Sequence, residues 1–342
     1  MLNPRNRPRV TIRDVAALAG VSVGTASKAL NNRGQLRSQT RARVLAAAQT
    51  LDFRPNTLAR SLTSGRTYTV GLVTTDSFGR FSIPVMLGVE DALGAGKISV
   101  FMCDTRDDPI REQYHVRTLL DRRVDGIIVT GRRIEPRPPL GTDLPVPVVY
   151  AMTQSTDPSD CSVIPDDEGG GALAARHLLA AGRRRIGHVT GPSRFMETHR
   201  RARGLTQVLA AAGLELAGGE ALFGEWSEDW GRRGADMLLR AEPEVDAVFC
   251  GSDQIARGVV ETLRERGRRI PEDVAVVGFD NWEAMAVGCR PPLTTVDPNL
   301  HEVGRVAAGH LLAAIGGEPL PGGVHTVPGW LVVRGSTAAA PG

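Results

Sequence analysis

The chain has 342 residues, 42% of them hydrophobic and 23% charged, enough for two or three packed domains. These proportions exclude a disordered, collagen-like or disulfide-scaffold protein, and no apolar run approaches the ~18 residues that a membrane span needs. The net charge of +3 is unevenly placed: residues 1–66 carry 12 basic residues against Asp14 and Asp52, a balance of +10, and the rest of the chain balances at −7. A basic head on an acidic body points to a polyanionic partner for the head, DNA foremost. The opening MLNPRNRPRV lacks the apolar core of a secretion signal. Cys103, Cys161, Cys250 and Cys289 form no CxxC pair. Both features fit a reduced, cytoplasmic chain.

In chain order, Thr11–Ala19 reads as a helix with Thr11 as N-cap, Asp14 at its positive end and Ile12, Val15, Ala16 and Ala19 on one apolar stripe. Gly20 supplies a tight turn. Ser22 caps a second helix running to about Leu30, and Ser38–Leu51 forms a third through Val44, Leu45, Ala48 and Leu51. Two short helices joined through a glycine turn and closed by a third describe a helix-turn-helix. Residues 1–54 are therefore expected to form a small all-α head, and residues 55–66 a hinge helix and linker.

From residue 67 the pattern becomes α/β. Strands are predicted at Val70–Thr74, Ile98–Cys103, Gly126–Thr130, Val146–Tyr150, Ile186–Thr190, Ala247–Cys250 and Val274–Phe279. Amphipathic segments such as Gly204–Ala212, Gln254–Arg266 and His301–Ile315 alternate with them. This alternation implies doubly wound parallel sheets. Its length implies two similar lobes. Ligands of such folds bind beyond the carboxyl ends of the strands, here in a cleft between lobes.

The head, VTIRDVAALAGVSVGTASKALN followed by RPNTLARSL, resembles the lactose-repressor/galactose-repressor (LacI/GalR) family of transcription regulators. The body carries the family landmarks VDGIIV (124–129), GFDN (278–281), PPLTTV (291–296) and LVVRGST (331–337). The resemblance implies a body of periplasmic-binding-protein type I architecture, its lobes about 67–164 with 298–326 and about 165–297 with 327–342, and a homodimer, or a dimer of dimers, on a pseudo-palindromic operator. It implies base reading by Val23, Gly24 and Lys28, phosphate contacts by Ser22, Thr25 and Ser27, and further contacting positions at Thr11, Asn31 and Thr40. Lysine can reach guanine O6/N7 or a phosphate, although Lys28 also reads as a solvated surface residue. Gly24 offers no side chain to a base. The hinge positions Asn56, Ala59 and Leu62 are implied to fold on DNA, with Leu62 wedging into the minor groove; an ordinary linker is the alternative.

For a small-molecule effector, expected to be a sugar or related polar metabolite, the resemblance implies Phe81, Phe195, Arg201, Trp226, Ser252 and Asp280. Arg201 reads either as a ligand anchor or as a structural ion pair. Asp280 reads as a hydroxyl acceptor or a turn cap, and Trp226 and Phe81 as stacking walls or plain core. Met152 and Pro165 stand where sugar-responsive relatives often carry aspartate.

No catalytic constellation, cofactor motif or metal motif stands out: the chain lacks GxSxG and HExxH, and its seven histidines have no short ligand spacing. Gly169–Gly171 reads as close helix packing and Arg183–Arg185 as a solvated helix end. The expected function is a ligand-switched, sequence-specific repressor. The alternatives are a free sugar-binding protein, or an activator or corepressor-dependent regulator.

Overall fold

A computed structural model describes residues 10–30, 34–53, 66–94, 98–141 and 143–337. The chain divides into two compact units, residues 1–67 and 68–342.

In the first unit, helices α1 (Ile12–Ala19), α2 (Val23–Leu30) and α3 (Ser38–Thr50) enclose a core of Val15, Ala16, Ala19, Ala26, Ala29, Val44, Ala47 and Ala48. The small side chains let three short helices approach closely. Thr11 stands at the N-cap, and both its backbone N–H and its hydroxyl donate to the Asp14 carboxylate at 2.8 Å. These bonds hold the Asp14 carboxyl below its ordinary range. Gly20 ends α1 at φ 63°, a left-handed conformation that glycine adopts without the Cβ penalty. The Ser22 hydroxyl accepts from the Thr25 N–H at 3.1 Å and starts α2.

The second unit holds two six-stranded sheets. The first comprises β1 (Thr69–Thr74), β2 (Ser99–Asp104), β3 (Gly126–Thr130), β5 (Val148–Ala151), β7 (Cys161–Pro165) and β13 (Gly323–Val327), all parallel, in the order β13-β7-β5-β3-β1-β2. The second comprises β8 (Ile186–Thr190), β9 (Leu222–Phe223), β10 (Ala247–Cys250), β11 (Ala275–Phe279), β12 (Thr294–Asp297) and β14 (Trp330–Val332), in the order β14-β12-β11-β10-β8-β9. Only β14 runs antiparallel there. A two-stranded ribbon pairs β4 (Pro136–Arg137) with β6 (Gln154–Ser155).

The central strands are fully buried on both faces, β3, β8 and β11 throughout, as helix-covered parallel sheets require. One strand begins two residues later than its apolar run suggests, because Pro145 and Pro147 cannot donate to a ladder and pairing starts at Val148.

The helices of this unit are α4 (Ser82–Leu93), α5 (Pro109–Asp121), α6 (Asp167–Ala180), α7 (Met196–Ala211), α8 (Glu228–Ala241), α9 (Asp253–Glu265), α10 (Glu283–Ala286) and α11 (Leu300–Ile315). Helix α11 follows a strand of the second sheet yet packs on α4, β3, β5 and β7 of the first. The chain thus passes between lobes three times, after β7, after β12 and after β13. Helix α7 starts eight residues before its amphipathic signal, because its first half buries Glu197, Thr198 and Arg201 rather than apolar side chains.

Candidate functional site

The expected DNA-facing residues of the first unit lie on and around α2. Ser22, Val23, Gly24 and Lys28 are exposed, and Thr25 and Ser27 are half-buried. Ala26 and Ala29 point into the core, so the helix turns its 23, 24 and 28 positions outward. Val23, an apolar side chain 43% exposed, is available to a thymine methyl. Nothing but the Ser22 Oγ, at 3.9 Å, lies within 4 Å of a Cβ built on Gly24, so packing does not demand glycine there. The Lys28 stem lies 3.4 Å from a Cβ built on Gly34. Ser22 and Thr25 share a hydroxyl contact of 2.9 Å, which makes them a cap as well as candidate phosphate donors. Thr11 is committed to Asp14, and Thr40 sits half-buried in the first turn of α3. Asn31, Asn56, Ala59 and Leu62 lie outside the described residues.

In the second unit the two lobes meet over a cavity of about 150 Å³ lined by Phe81, Arg201, Trp226, Ser252 and Asp280, together with Arg80, Arg132, Arg133, Ile134, Met152 and Glu197. Five of the six expected effector residues therefore share one cavity. The sixth, Phe195, lines an adjoining space of about 290 Å³ that also borders Arg132 and Arg133.

Arg201 is held from several sides. Its Nε donates to Asp167 at 2.7 Å and its Nη1 to the Gly251 carbonyl at 2.6 Å. The guanidinium lies over the Phe279 ring at 3.6 Å, and Asp280 stands 3.9 Å away. Burial opposes its charge, but Asp167, Asp280 and Glu197 together outweigh that and raise its pKa. Arg201 is thus a buried structural ion pair that also faces the cavity. The backbone that carries it is clamped: a Cβ on Gly171 of α6 would fall 2.1 Å from the Arg201 carbonyl, and one on Gly204 of α7 would fall 1.9 Å from that of Glu168. Of the triple glycine of α6, Gly171 meets helix α7, Gly170 meets Phe279 of the sheet and Gly169 meets the capping Asp166.

Asp280 follows β11, whose end delivers it to the cleft. Its φ of 102°, the φ of 48° at Asn281 and that of 57° at Met152 are all left-handed. Such strain in non-glycine residues gathers at ligand sites. Asp253 steadies this loop, accepting from the Thr295 hydroxyl at 2.5 Å and the Trp282 N–H at 2.7 Å; burial pushes its carboxyl up to about 8. Across the cleft, Arg80 of the first lobe donates to Asp280 at 2.5 Å and stacks over Trp282 at 4.2 Å.

Ser252 caps α9 through the Ile255 N–H at 3.2 Å and lines the cavity. Trp226 lies against Gly191, where a Cβ would fall 2.4 Å from its ring. Arg133 stacks over Phe195 at 3.8 Å and stands 4.0 Å from Glu197. Burial, opposed by Arg201 and reinforced by Glu135, drives the Glu197 carboxyl up to about 8. One oxygen of Glu197 and one of Glu135 are buried without a hydrogen-bond partner.

Arg80, Arg133, Asp167 and Glu197 carried no signal in the sequence reading. Each acquires its role from a partner far along the chain, Arg80 from Asp280 and Asp167 from Arg201.

Comparison with known proteins supplies the context for this geometry. Residues 11–56 match the family described as bacterial regulatory proteins, lacI family, and residues 175–337 match the periplasmic binding protein-like domain. The HTH-type transcriptional repressor PurR of Aliivibrio salmonicida (strain LFI1238) is 32% identical over 307 residues, covering 89% of this chain and 92% of that one. A solved structure of a transcriptional regulator CelR–cellobiose complex is 32% identical, covers 96% of this chain and 100% of that one, and superposes with a TM-score of 0.65. The Lac repressor dimer bound to operator and the anti-inducer ONPF is 26% identical, covers 97% and 100%, and gives a TM-score of 0.72. With its helix-turn-helix head, its two parallel-sheet lobes and relatives spanning nearly its full length, the chain belongs to the lacI family of bacterial regulatory proteins.

Proposed function

We propose that the protein is a sequence-specific DNA-binding transcriptional repressor whose operator affinity is switched by a sugar or related polar metabolite bound between the body lobes. The observation that carries this reading is the pairing of an α2 surface with Val23, Gly24 and Lys28 turned outward and a strained, arginine-lined cleft in one chain. The relatives' names point the same way: a repressor for PurR, a cellobiose complex for CelR, an operator-bound dimer for the Lac repressor. Phe81 and Trp226 provide flat walls for a sugar ring. Arg133 provides donors for its oxygens, and Asp280 an acceptor.

A homodimer is supported by an unpartnered apolar face in the first lobe. Met102 on the edge strand β2, and Ile83 and Leu87 on α4 beside it, are 43–47% exposed. An exposed apolar edge of this kind invites pairing with another chain. No helix among the described residues is long and apolar enough to cross a membrane, and a cytoplasmic regulator is in keeping with that. The cleft binds its ligand and releases it unchanged, a non-enzymatic role in line with the regulator relatives.

The test is selection of genomic fragments by the purified full chain, followed by anisotropy titration. A pseudo-palindromic site should emerge, with affinity that falls steeply with salt as basic residues release counterions. A thermal-shift screen of sugars, nucleosides and polyols should then find a ligand that changes that affinity. A selected ligand with no retained DNA would overturn the proposal in favour of a free binding protein.

A further inference from the structure

On the side of the first lobe away from the cleft, three residues distant in sequence converge. The Cys161 sulfur and one ring nitrogen each from His310 and His325 all lie within 4.8 Å of one another. Cys161 belongs to β7, His325 to β13, and His310 to the face of α11 that packs on them. The register explains the meeting. Gly323 stands opposite Cys161 and His325 opposite Val163, so Cys161 and His325 share one face of the sheet. Position 323 offers no side chain to fill the space across from the thiol, and a Cβ built there would touch nothing within 4 Å.

The two imidazoles face one another with ring centroids 5.1 Å apart. The His325 Nε2 is buried without a hydrogen-bond partner, an uncommon state for a buried polar atom. The Cys161 side chain is fully buried and forms no disulfide.

We propose that Cys161, His310 and His325 form a three-ligand site for a thiophilic divalent cation of the zinc class. The donor set suits that chemistry: one thiolate and two neutral imidazoles are soft-to-borderline ligands that a hard oxygen-seeking ion does not favour. Tetrahedral zinc with bonds of about 2.0–2.3 Å needs its ligand atoms about 3.3–3.6 Å apart, so side-chain rotations that draw the three atoms together by about 1 Å complete the geometry. Binding breaks the S–H bond, releases that proton to solvent and leaves a fourth position for water beside the half-exposed histidines. The ion would staple β13 to β7 and α11, directly before the chain passes through residues 328–329 into β14 of the second lobe.

The probe is cobalt(II) alone, titrated into the full-length reduced protein. A thiolate-to-cobalt charge-transfer band should rise to one ion per chain and disappear on addition of zinc. Cys161→Ser should abolish the band. His310→Gln and His325→Gln should each weaken cobalt affinity by more than about tenfold, since loss of even an outer-shell partner of a ligand costs about 10–100-fold. Circular dichroism accompanies every variant. Should Cys161→Ser fail to fold, the half-exposed His310→Gln decides. A band absent from the parent protein, a band that survives Cys161→Ser, or an unchanged affinity in folded His310→Gln would each overturn the site.

Discussion

Removing the Arg201 side chain tests the packing of the second lobe before it tests ligand binding. In Arg201→Ala, Asp167 keeps a carboxylate that is 1% exposed, loses its 2.7 Å partner, and already has one oxygen unbonded. The Gly251 carbonyl loses its donor as well, and Phe279 its stacked guanidinium. Breaking one side of a buried ion pair costs about 3–5 kcal/mol, because the orphaned charge stays in place. For domains of about 150–250 residues each kcal/mol lowers Tm by about 2–4 °C, so the melting point should fall by about 6–20 °C. The assay is thermal unfolding of the full chain followed by far-ultraviolet circular dichroism, with urea unfolding as a check. The double variant Asp167→Asn, Arg201→Met removes both charges and should recover at least half of the loss. A melting point for Arg201→Ala within about 3 °C of the parent, or a double variant no better than the single one, would refute the reasoning. Loss of ligand response in Arg201→Ala carries meaning only below the variant's own melting point.

Four further outcomes are expected. Gly24→Ala should stabilise the head by about 0.5–1 kcal/mol, read from its urea midpoint, since the position is open. Leu87→Arg should convert the protein to a monomer in sedimentation velocity and weaken operator binding, because it plants a charge on the apolar face of α4. Leu62→Ala should weaken specific operator binding by more than about tenfold in anisotropy titrations and leave effector affinity nearly unchanged. Glu197 titrates between its ordinary 4.5 and about 8. In that window the folded chain holds a proton that the unfolded chain has lost, so this residue's contribution falls as pH rises. Glu197→Gln should therefore gain stability relative to the parent from acid to mildly alkaline pH, measured as the difference in Tm across that range.

The strands at 126–130 and 247–250 were legible because strands buried on both faces are built from near-continuous apolar runs. Those at 161–165, 294–297 and 323–327 were hidden by their polar content. Thr294 and Thr295 are wholly buried, yet their hydroxyls are satisfied by Arg334, Thr337 and Asp253, residues about 40 positions away. No local pattern reports such bonds.

The cleft divides in the same way. Asp280 and Trp226 could be placed through a resemblance, and the end of β11 delivers Asp280 where a doubly wound sheet exposes its ligands. The ion pair beneath Arg201, the guanidinium opposite Asp280 and the raised carboxyl of Glu197 are products of three-dimensional proximity alone. So is the meeting of Cys161 with His310 and His325, which lie on the far side of the second lobe's sequence from it.

The bond from Arg80 to Asp280 gives the cleft an internal tenant. An incoming molecule that needs the Asp280 carboxylate must first evict a guanidinium that also rests on Trp282. Its net affinity is therefore the difference between its own contacts and the ones it dislodges. Since those two residues sit on opposite lobes, eviction also removes one of the contacts that bridge them, beside those of Arg133 to Glu197 and of Glu135 to Met196. A molecule that displaces Arg80 would thereby bias the two lobes, whereas one that settles elsewhere in the cavity without dislodging it would leave this bridge as it was.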